Sequence, residues 1–185
     1  MQLSQPSDIK TKLKPGHPLH TLISEHEVIL GFLDKLEKVT QIIKRIKDFE
    51  NQKEFNELKH IAEHLIEAEP HHKREEEVLF PELERRGVLG PPEVMRLEHT
   101  ELRKKKEELK EISQSFNKEN FVVLKERLEE ISNFIITFLR NHIFKENNIL
   151  FPIALEVITE PDVWQKMKIE CDKIGYCCFT PKDAQ

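Results

Sequence analysis

Apolar residues recur every three or four positions along most of the chain, the spacing of helices that bury one face. The pattern predicts helix A over about residues 18–47, helix B over about 52–86, helix C from the Gly90-Pro91-Pro92 segment to about 116, and helix D over about 119–158. The apolar faces of helices A, C and D comprise Leu22, Ile29, Leu33, Leu36, Ile43, Met95, Leu102, Leu109, Phe116, Phe121, Leu124, Leu128, Ile131, Ile135 and Phe138. We therefore predict an all-α, up-down-up-down antiparallel four-helix bundle over residues 18–158.

Histidine replaces an apolar residue on three of these faces. His26 stands in helix A, His99 in helix C and His142 in helix D, where Glu146 occupies the next position of the face. A single histidine on an apolar face is usually a hydrogen-bonded core residue. Three imidazoles that converge with carboxylates indicate metal ligands instead, because unpaired polar groups are costly to bury.

A short motif occurs twice, at residues 71–81 and 142–152. Each copy has His, then Glu four residues later, then Leu-Phe-Pro beginning eight residues after the His. Positions i and i+4 share one face of a helix, so each copy presents an imidazole beside a carboxylate. Two such pairs facing each other would form a site for two metal ions. The competing interpretation is a duplicated helix end, with the proline ending or kinking each helix and the polar pair facing solvent.

The first motif copy is ambiguous. The early apolar face of helix B comprises Phe55, Leu58, Ala62 and Leu65. Continued without interruption, that face reaches His72 and Glu76, whereas the motif selects His71 and Glu75. A kink or π-bulge caused by Pro70 would turn the motif pair inward. In the second copy, helix D is expected to continue its period without a break.

Composition narrows the class of protein. The 185 residues suit one domain, and the low glycine content, five residues, favours helices. The net charge of −5 argues against nucleic acid as the main partner. Neither a membrane-spanning apolar run nor a signal peptide is recognisable, and three cysteines close to the end form no disulfide framework. A cytoplasmic location is expected.

Residues outside the bundle have lesser roles. Residues 1–17 are predicted to be a flexible arm and residues 159–185 a tail with a short helix. Two early histidines, His17 and His20, are candidate accessory ligands or proton donors, while His60 and His64 fall on a polar face. Four side chains could hydrogen-bond to the imidazoles and orient them: Glu25, Glu27, Glu76 and Asn147. The alternative for each is a position on the solvated surface. The cysteines Cys171, Cys177 and Cys178 are either inert thiols or a redox or metal-binding element.

Over roughly residues 19–158 the chain resembles the hemerythrin-like (His-His-Glu cation-binding) four-helix bundles. The resemblance rests on Ser24-Glu25-His26-Glu27, the two motif copies and the Gly90–His99 segment. The ligand order is similar to that of di-iron proteins that repair iron–sulfur centres, and residues 87–99 are similar to bundles that precede PAS sensory domains. The iron ligands implied by the resemblance are His26, His71, Glu75, His99, His142 and Glu146.

The chain departs from the oxygen-carrying hemerythrins in two places. Where they have a second His four residues after the helix C ligand, this chain has Arg103; where they have Asp five residues after the helix D ligand, it has Asn147. A site with four His and two Glu has more open coordination. This favours reaction with oxygen, nitric oxide or peroxide over reversible oxygen carriage. No counterpart of the cysteine-bearing amino-terminal domain of many repair proteins is expected, since residues 1–18 contain no Cys.

The resemblance implies a di-iron centre in which each metal takes two His. Glu75 and Glu146 would bridge the metals beside an oxo or hydroxo group, and zinc or manganese are candidate substitutes for iron. The favoured function is binding or sensing of oxygen, nitric oxide or peroxide, with a separate signalling or iron–sulfur protein as partner and with neither nucleic acid nor membrane involved. An enzyme using the same centre (a peroxidase, a nitric oxide reductase or a repair protein) and simple metal storage are the alternatives.

Overall fold

Helices account for nearly all the regular structure of the chain. The computed structural model describes residues 6–47, 49 and 53–185, with side chains from residue 9 onward, and this part of the chain contains no strand. The nine α-helices within it are α1 Pro6–Lys12, α2 Pro18–Arg45, α3 Lys53–Ile66, α4 Glu69–Arg74, α5 Phe80–Arg85, α6 Gly90–Ser115, α7 Phe121–Lys145, α8 Phe151–Val157 and α9 Pro161–Ile174. The fold is an all-α helical bundle, which confirms the predicted class.

Proline marks the start of several helices. Pro18 begins α2, and Pro91 and Pro92 lie in the first turn of α6, where no backbone donor is required. Helix α2 ends with Lys44 and Arg45, whose charges favour the carbonyl end of the helix dipole. The predicted bounds of helix A agree with α2 to within two residues. Helix C was expected to follow Gly90-Pro91-Pro92, and α6 instead begins at Gly90 itself.

The predicted helix B is divided into three α-helices. A turn after Ile66 separates α3 from α4, and Pro70 then lies in the first turn of α4. The predicted kink at Pro70 corresponds to this turn, because helices usually end just before a proline, which has no N–H to continue them. The alternative, a π-bulge at Pro70 itself, is not what the structure shows. A π-helical segment, Glu75–Leu79, follows α4 instead and leads into α5.

Both motif copies contain a π-helical segment at the same place. The Phe80 N–H donates to the Glu75 carbonyl, and the Phe151 N–H donates to the Glu146 carbonyl. Each is the bond between residues five apart that defines a π-helix. The proline that follows each Phe has no N–H and would crowd the preceding turn of an α-helix, which accounts for the wider turn. Helix D is therefore continuous only to Lys145, contrary to the prediction of an unbroken period.

The chain forms two compact units. The first unit comprises Met1–Val28, Ala68–His99 and Asn141–Gln185. Its hydrophobic core contains Ile9, Leu19, Leu22, Ile23, Val78, Leu79, Phe80, Leu83, Met95, Leu150, Phe151, Ala154, Ile158, Met167 and Cys171. Ile9 belongs to α1, so part of the predicted flexible arm is helical and contributes to this core.

The second unit comprises Ile29–Glu67 and Thr100–Arg140. Its buried apolar residues include Leu33, Leu36, Ile43, Leu58, Ile61, Leu65, Leu102, Leu109, Leu128, Ile131 and Ile135. A buried hydrogen bond from the Thr40 hydroxyl to the Ser132 hydroxyl, 3.0 Å long, joins two of its helices. This unit is held mainly by apolar packing.

Among the described residues, no helix combines the length and the apolar character needed to cross a membrane.

Candidate metal centre

Four histidines meet in the first unit as two imidazole pairs. The Nε2 atoms of His26 and His71 are 3.0 Å apart, and those of His99 and His142 are 3.1 Å apart. The four rings come from α2, α4, α6 and α7, and none is more than 2% exposed. The structure therefore brings together all four imidazoles selected from the sequence.

Two carboxylates lie between these pairs. Glu146 places Oε2 3.2 Å from Nε2 of His26 and Oε1 3.0 Å from Nε2 of His142. Glu75 Oε2 is 3.5 Å from Nε2 of both His71 and His99. Each carboxylate thus approaches one imidazole of each pair, which is the arrangement a bridging carboxylate requires. We call His26, His71, Glu75, His99, His142 and Glu146 the inner residues.

The two carboxylates lack ordinary hydrogen-bond partners. Glu75 and Glu146 are fully buried, and none of their four oxygens accepts a well-aligned hydrogen bond in the structure. Burying an unsatisfied carboxylate is costly, and a cation among the inner residues would satisfy it. Imidazole nitrogen and carboxylate oxygen suit iron, zinc and manganese, so the inner residues fit such a metal.

In the metal-free protein, bound protons offset the negative charge of the two buried carboxylates. Burial and the neighbouring Glu146 raise the pKa of Glu75 well above its usual range. Burial opposes ionisation of His142 and Glu146, but each stabilises the charged form of the other. The pKa of His142 is consequently raised to about 9 and that of Glu146 lies well below its usual range. A cation would take the place of these protons, since metal ligands must be deprotonated.

Each inner imidazole also has a polar partner at Nδ1. We call the residue whose side chain lies within hydrogen-bond distance of Nδ1 the Nδ1 partner of that histidine. The pairs are His26 with Asn147 at 2.9 Å, His71 with Glu25 at 2.7 Å, His99 with Glu76 at 2.8 Å and His142 with Glu98 at 2.7 Å. Donation from Nδ1–H fixes the ring and leaves Nε2 as the ligand atom.

Sequence reasoning selected three of the Nδ1 partners and missed Glu98. A simple signal was available: every Nδ1 partner adjoins an inner residue in the sequence, as Glu98 adjoins His99. The partner always serves a histidine on a different helix, so adjacency alone does not reveal which one. Glu27, the other predicted partner, is exposed and pairs with Lys10 instead.

The structure places the two adjacent histidines, His71 and His72, in different positions. His71 and Glu75 lie among the inner residues, whereas Glu76 is the Nδ1 partner of His99. His72 is buried as well, and its ring stacks on His99 with the centroids 4.1 Å apart. A ring nitrogen of His72 lies within 4.8 Å of ring nitrogens of His99 and His142, so His72 is a further candidate ligand. The break before α4 resets the helix period, so the face traced along α3 does not continue to His72 and Glu76.

The remaining histidines and cysteines lie elsewhere. The ring of His17 packs on Trp164, with centroids 4.4 Å apart, and burial, with His20 adding, lowers the pKa of His17 to about 4. His60 and His64 belong to the second unit, with their Nε2 atoms 3.1 Å apart. The buried thiols Cys171 and Cys177 have pKa values raised by burial to about 11 and about 12, so both are protonated at neutral pH.

Fold and site together define a metal-binding helical-bundle protein. The family model of the hemerythrin HHE cation binding domain matches residues 17–154, most of the chain. The chain therefore belongs to the hemerythrin HHE cation-binding family, as the sequence motifs indicated. No curated protein matches the sequence.

Proposed function

We propose that the inner residues bind two iron ions and that the resulting centre binds or senses oxygen, nitric oxide or peroxide. The observation that carries the proposal is the position of Glu75 and Glu146. Both carboxylates are fully buried, lack well-aligned hydrogen bonds, and lie between two imidazole pairs. Two adjacent cations would account for both carboxylates at once.

In this proposal, His26 and His71 hold one ion, and His99 and His142 hold the other. Glu146 approaches three of these four imidazoles, since its Oε1 is also 3.7 Å from His99 Nε2. Glu75 approaches two. The Nδ1 partners keep each ring turned inward. This chain has Arg103 where the oxygen carriers have a fifth histidine, which would leave coordination positions open for a small molecule.

The surroundings of the inner residues suit a small ligand. The ring of Phe151 stacks on His26 and that of Phe80 on His99, with centroids 5.7 and 5.8 Å apart. Such buried apolar walls keep the dielectric low and limit access by water. When bound, iron would supply electron exchange with a small ligand; the protein would supply orientation and a protected environment.

Iron loading tests the proposal directly. Protein purified without metal is loaded anaerobically with ferrous iron, and its metal content and optical spectrum are measured before and after exposure to oxygen or nitric oxide. We expect about two irons per chain and a spectrum that changes with the added gas. Binding of a single zinc, or no iron after loading, would exclude a di-iron centre.

Two variants locate the bound metal. His142→Ala should remove at least one ion, because it deletes one of the two imidazoles proposed for that position. His60→Ala, in the second unit, is the control and should retain the wild-type content. Sustained turnover of peroxide or nitric oxide in the same preparations would favour an enzyme over a sensor.

A further inference from the structure

We propose that the C-terminal segment, residues 175–185, completes the metal centre by holding the Nδ1 partner of His71. Thr180 and Arg74 fix Glu25, Glu25 fixes His71, and the orientation of His71 determines how firmly its metal ion is retained. The inference rests on the proposed metal-binding function and assigns Thr180 and Arg74 as positioning residues.

Glu25 is held from three sides. It is fully buried, and its Oε2 accepts a hydrogen bond of 2.7 Å from Nδ1 of His71. Nη2 of Arg74 donates to both oxygens, at 2.6 and 2.7 Å. The Thr180 hydroxyl donates to Oε1. These donors restrict the carboxylate to one orientation, the one in which Oε2 faces the imidazole.

Thr180 reaches this position because the C-terminal segment is itself anchored. The Thr180 N–H donates to the Cys177 carbonyl at 3.0 Å, and the Thr21 hydroxyl donates to the Ala184 carbonyl. The Arg74 guanidinium packs against the ring of Tyr176, with Cζ of Arg74 4.9 Å from the ring centroid. Cys177, Thr180 and Ala184 are all buried. The segment thus covers both the carboxylate and the arginine that binds it.

Other Nδ1 partners in the described structure are held differently. Glu98, the partner of His142, also accepts a bond from Lys145, which is one turn along the same helix as His142, and 15% of its side chain is exposed. Glu76, the partner of His99, is 22% exposed. Glu25 is therefore more deeply buried than either of these two carboxylates.

Removal of the Thr180 hydroxyl should loosen this arrangement. One oxygen of a buried carboxylate would lose a donor, and Glu25 could then rotate between Arg74 and His71. Loss of the residue that hydrogen-bonds a metal ligand typically weakens metal binding by about 10–100-fold. Thr180 lies one step further out, so its loss should weaken binding by less than the loss of Glu25 itself would. The expected consequence is faster release of metal from the His26/His71 pair.

The test compares Thr180→Val, which removes the hydroxyl at nearly constant shape, with Thr180→Ser, which restores it. Thr159→Val, at an exposed threonine of the same unit, is the matched control. Iron-loaded proteins are mixed with a chelator, and the rate of iron release is followed. We expect release from the Val variant to be faster by up to about 10-fold, and wild-type rates from the other two.

A second readout does not require metal. Nitrogen-15 NMR of the metal-free protein reports the tautomer of each imidazole, and wild-type His71 should be protonated at Nδ1. Thr180→Val should give a mixture of tautomers at His71 alone. Thr21→Val removes the hydrogen bond to the Ala184 carbonyl and so loosens the C-terminal segment at another point. It should change the iron-release rate and the His71 tautomer in the same direction, but by less. This variant provides the test if Thr180→Val does not fold.

The outcomes separate the inference from the proposed function. Wild-type release and an unchanged His71 tautomer in Thr180→Val would overturn the inference while leaving the di-iron proposal intact. Failure of Thr180→Ser to restore the wild-type rate would also overturn it, because the effect would then come from packing. If wild-type protein binds no iron, the proposed function fails, and the tautomer measurement still tests the positioning of His71.

Discussion

The two motif copies have the same internal structure but different surroundings. In both, the His and the Glu four residues later are inner residues, and a π-helical segment leads from the Glu to Phe-Pro. His71 then depends on Glu25, which is fully buried beneath Arg74 and the C-terminal segment. His142 depends on Glu98, which lies close to the surface beside Lys145.

The repeated motif specifies the His and the Glu of each copy but not the side chains that support them. The motif determines which side chains point inward, because spacing on a helix is a local property. The Nδ1 partners are supplied by other helices, and these are not repeated. Two ions bound through matching motif copies should therefore differ in retention, with the ion at His26 and His71 held more firmly.

The largest effect is expected from removal of a carboxylate. Glu146→Ala should lose most of the bound metal, with affinity reduced at least about 100-fold, because Glu146 approaches three imidazoles. Glu75→Ala should retain more metal, since Glu75 approaches two. Metal content after loading measures both, and exposed Glu77→Ala is the control. Equal losses in the two variants would mean that the carboxylates are equivalent.

The cations behind the two Nδ1 partners should differ in their contribution to stability. Arg74 is almost fully buried against Glu25, so Arg74→Met should lower the free energy of unfolding by about 3–5 kcal/mol. Lys145 is one-third exposed, and Lys145→Met should cost less than about 1 kcal/mol. Urea unfolding of the metal-free proteins gives both values. A loss of less than about 1 kcal/mol for Arg74→Met would contradict the buried network.

Acid should act in part through Glu25. Burial opposes ionisation of this carboxyl, but the hydrogen bond from His71, the charge of Arg74 and the Thr180 hydroxyl lower its pKa from 4.5 to about 2. His71 acts as a neutral donor here, because its own pKa is lowered to about 4 by burial. Because the folded-state pKa is the lower one, the contribution is complete above about pH 4.5 and is lost as pH falls towards 2. The contribution is about 3 kcal/mol.

Glu25→Gln should reduce the difference in unfolding free energy between pH 5 and pH 3, measured on metal-free protein by urea titration. Glu98→Gln is the comparison at the other motif copy and should change this pH dependence less, since Glu98 is partly exposed. An unaltered pH dependence in Glu25→Gln would show that another group is responsible.

The smallest effect concerns thiol accessibility. Cys177 is buried 4.0 Å from Nη2 of Arg74, while Cys178 is exposed. Iodoacetamide should therefore modify Cys178 first, without loss of metal, and Cys177 only slowly, because its thiol remains protonated. Peptide mass spectrometry over time distinguishes them. Rapid modification of Cys177 would show that the C-terminal segment does not stay closed over the first motif copy.

Most residues of the candidate metal centre could be predicted from local patterns in the sequence. Helical spacing led to His26, His99, His142 and Glu146, whereas His71 and Glu75 followed from the repeated motif, because the period of helix B pointed to His72 and Glu76. Glu98 escaped notice because charged residues beside a histidine are common in a chain that is 34% charged.

The irregular helices were harder to place. At Pro70 we expected a kink or a π-bulge, and the structure has a turn just before the helix that contains this proline. The π-helical segments lie instead before the prolines that follow Phe80 and Phe151. A proline's effect depends on whether a helix starts or continues there. That depends on where the preceding helix ends, a point that periodicity alone determines poorly.

The sequence by itself determined the all-α class, the family and the set of side chains that converge, because helical periodicity and i, i+4 spacing are local. Only the tertiary structure decided which carboxylate supports which imidazole, and that Thr180 reaches Glu25 across an interval of 155 residues. Such contacts depend on how separate helices and the C-terminal segment pack, and no local spacing encodes that.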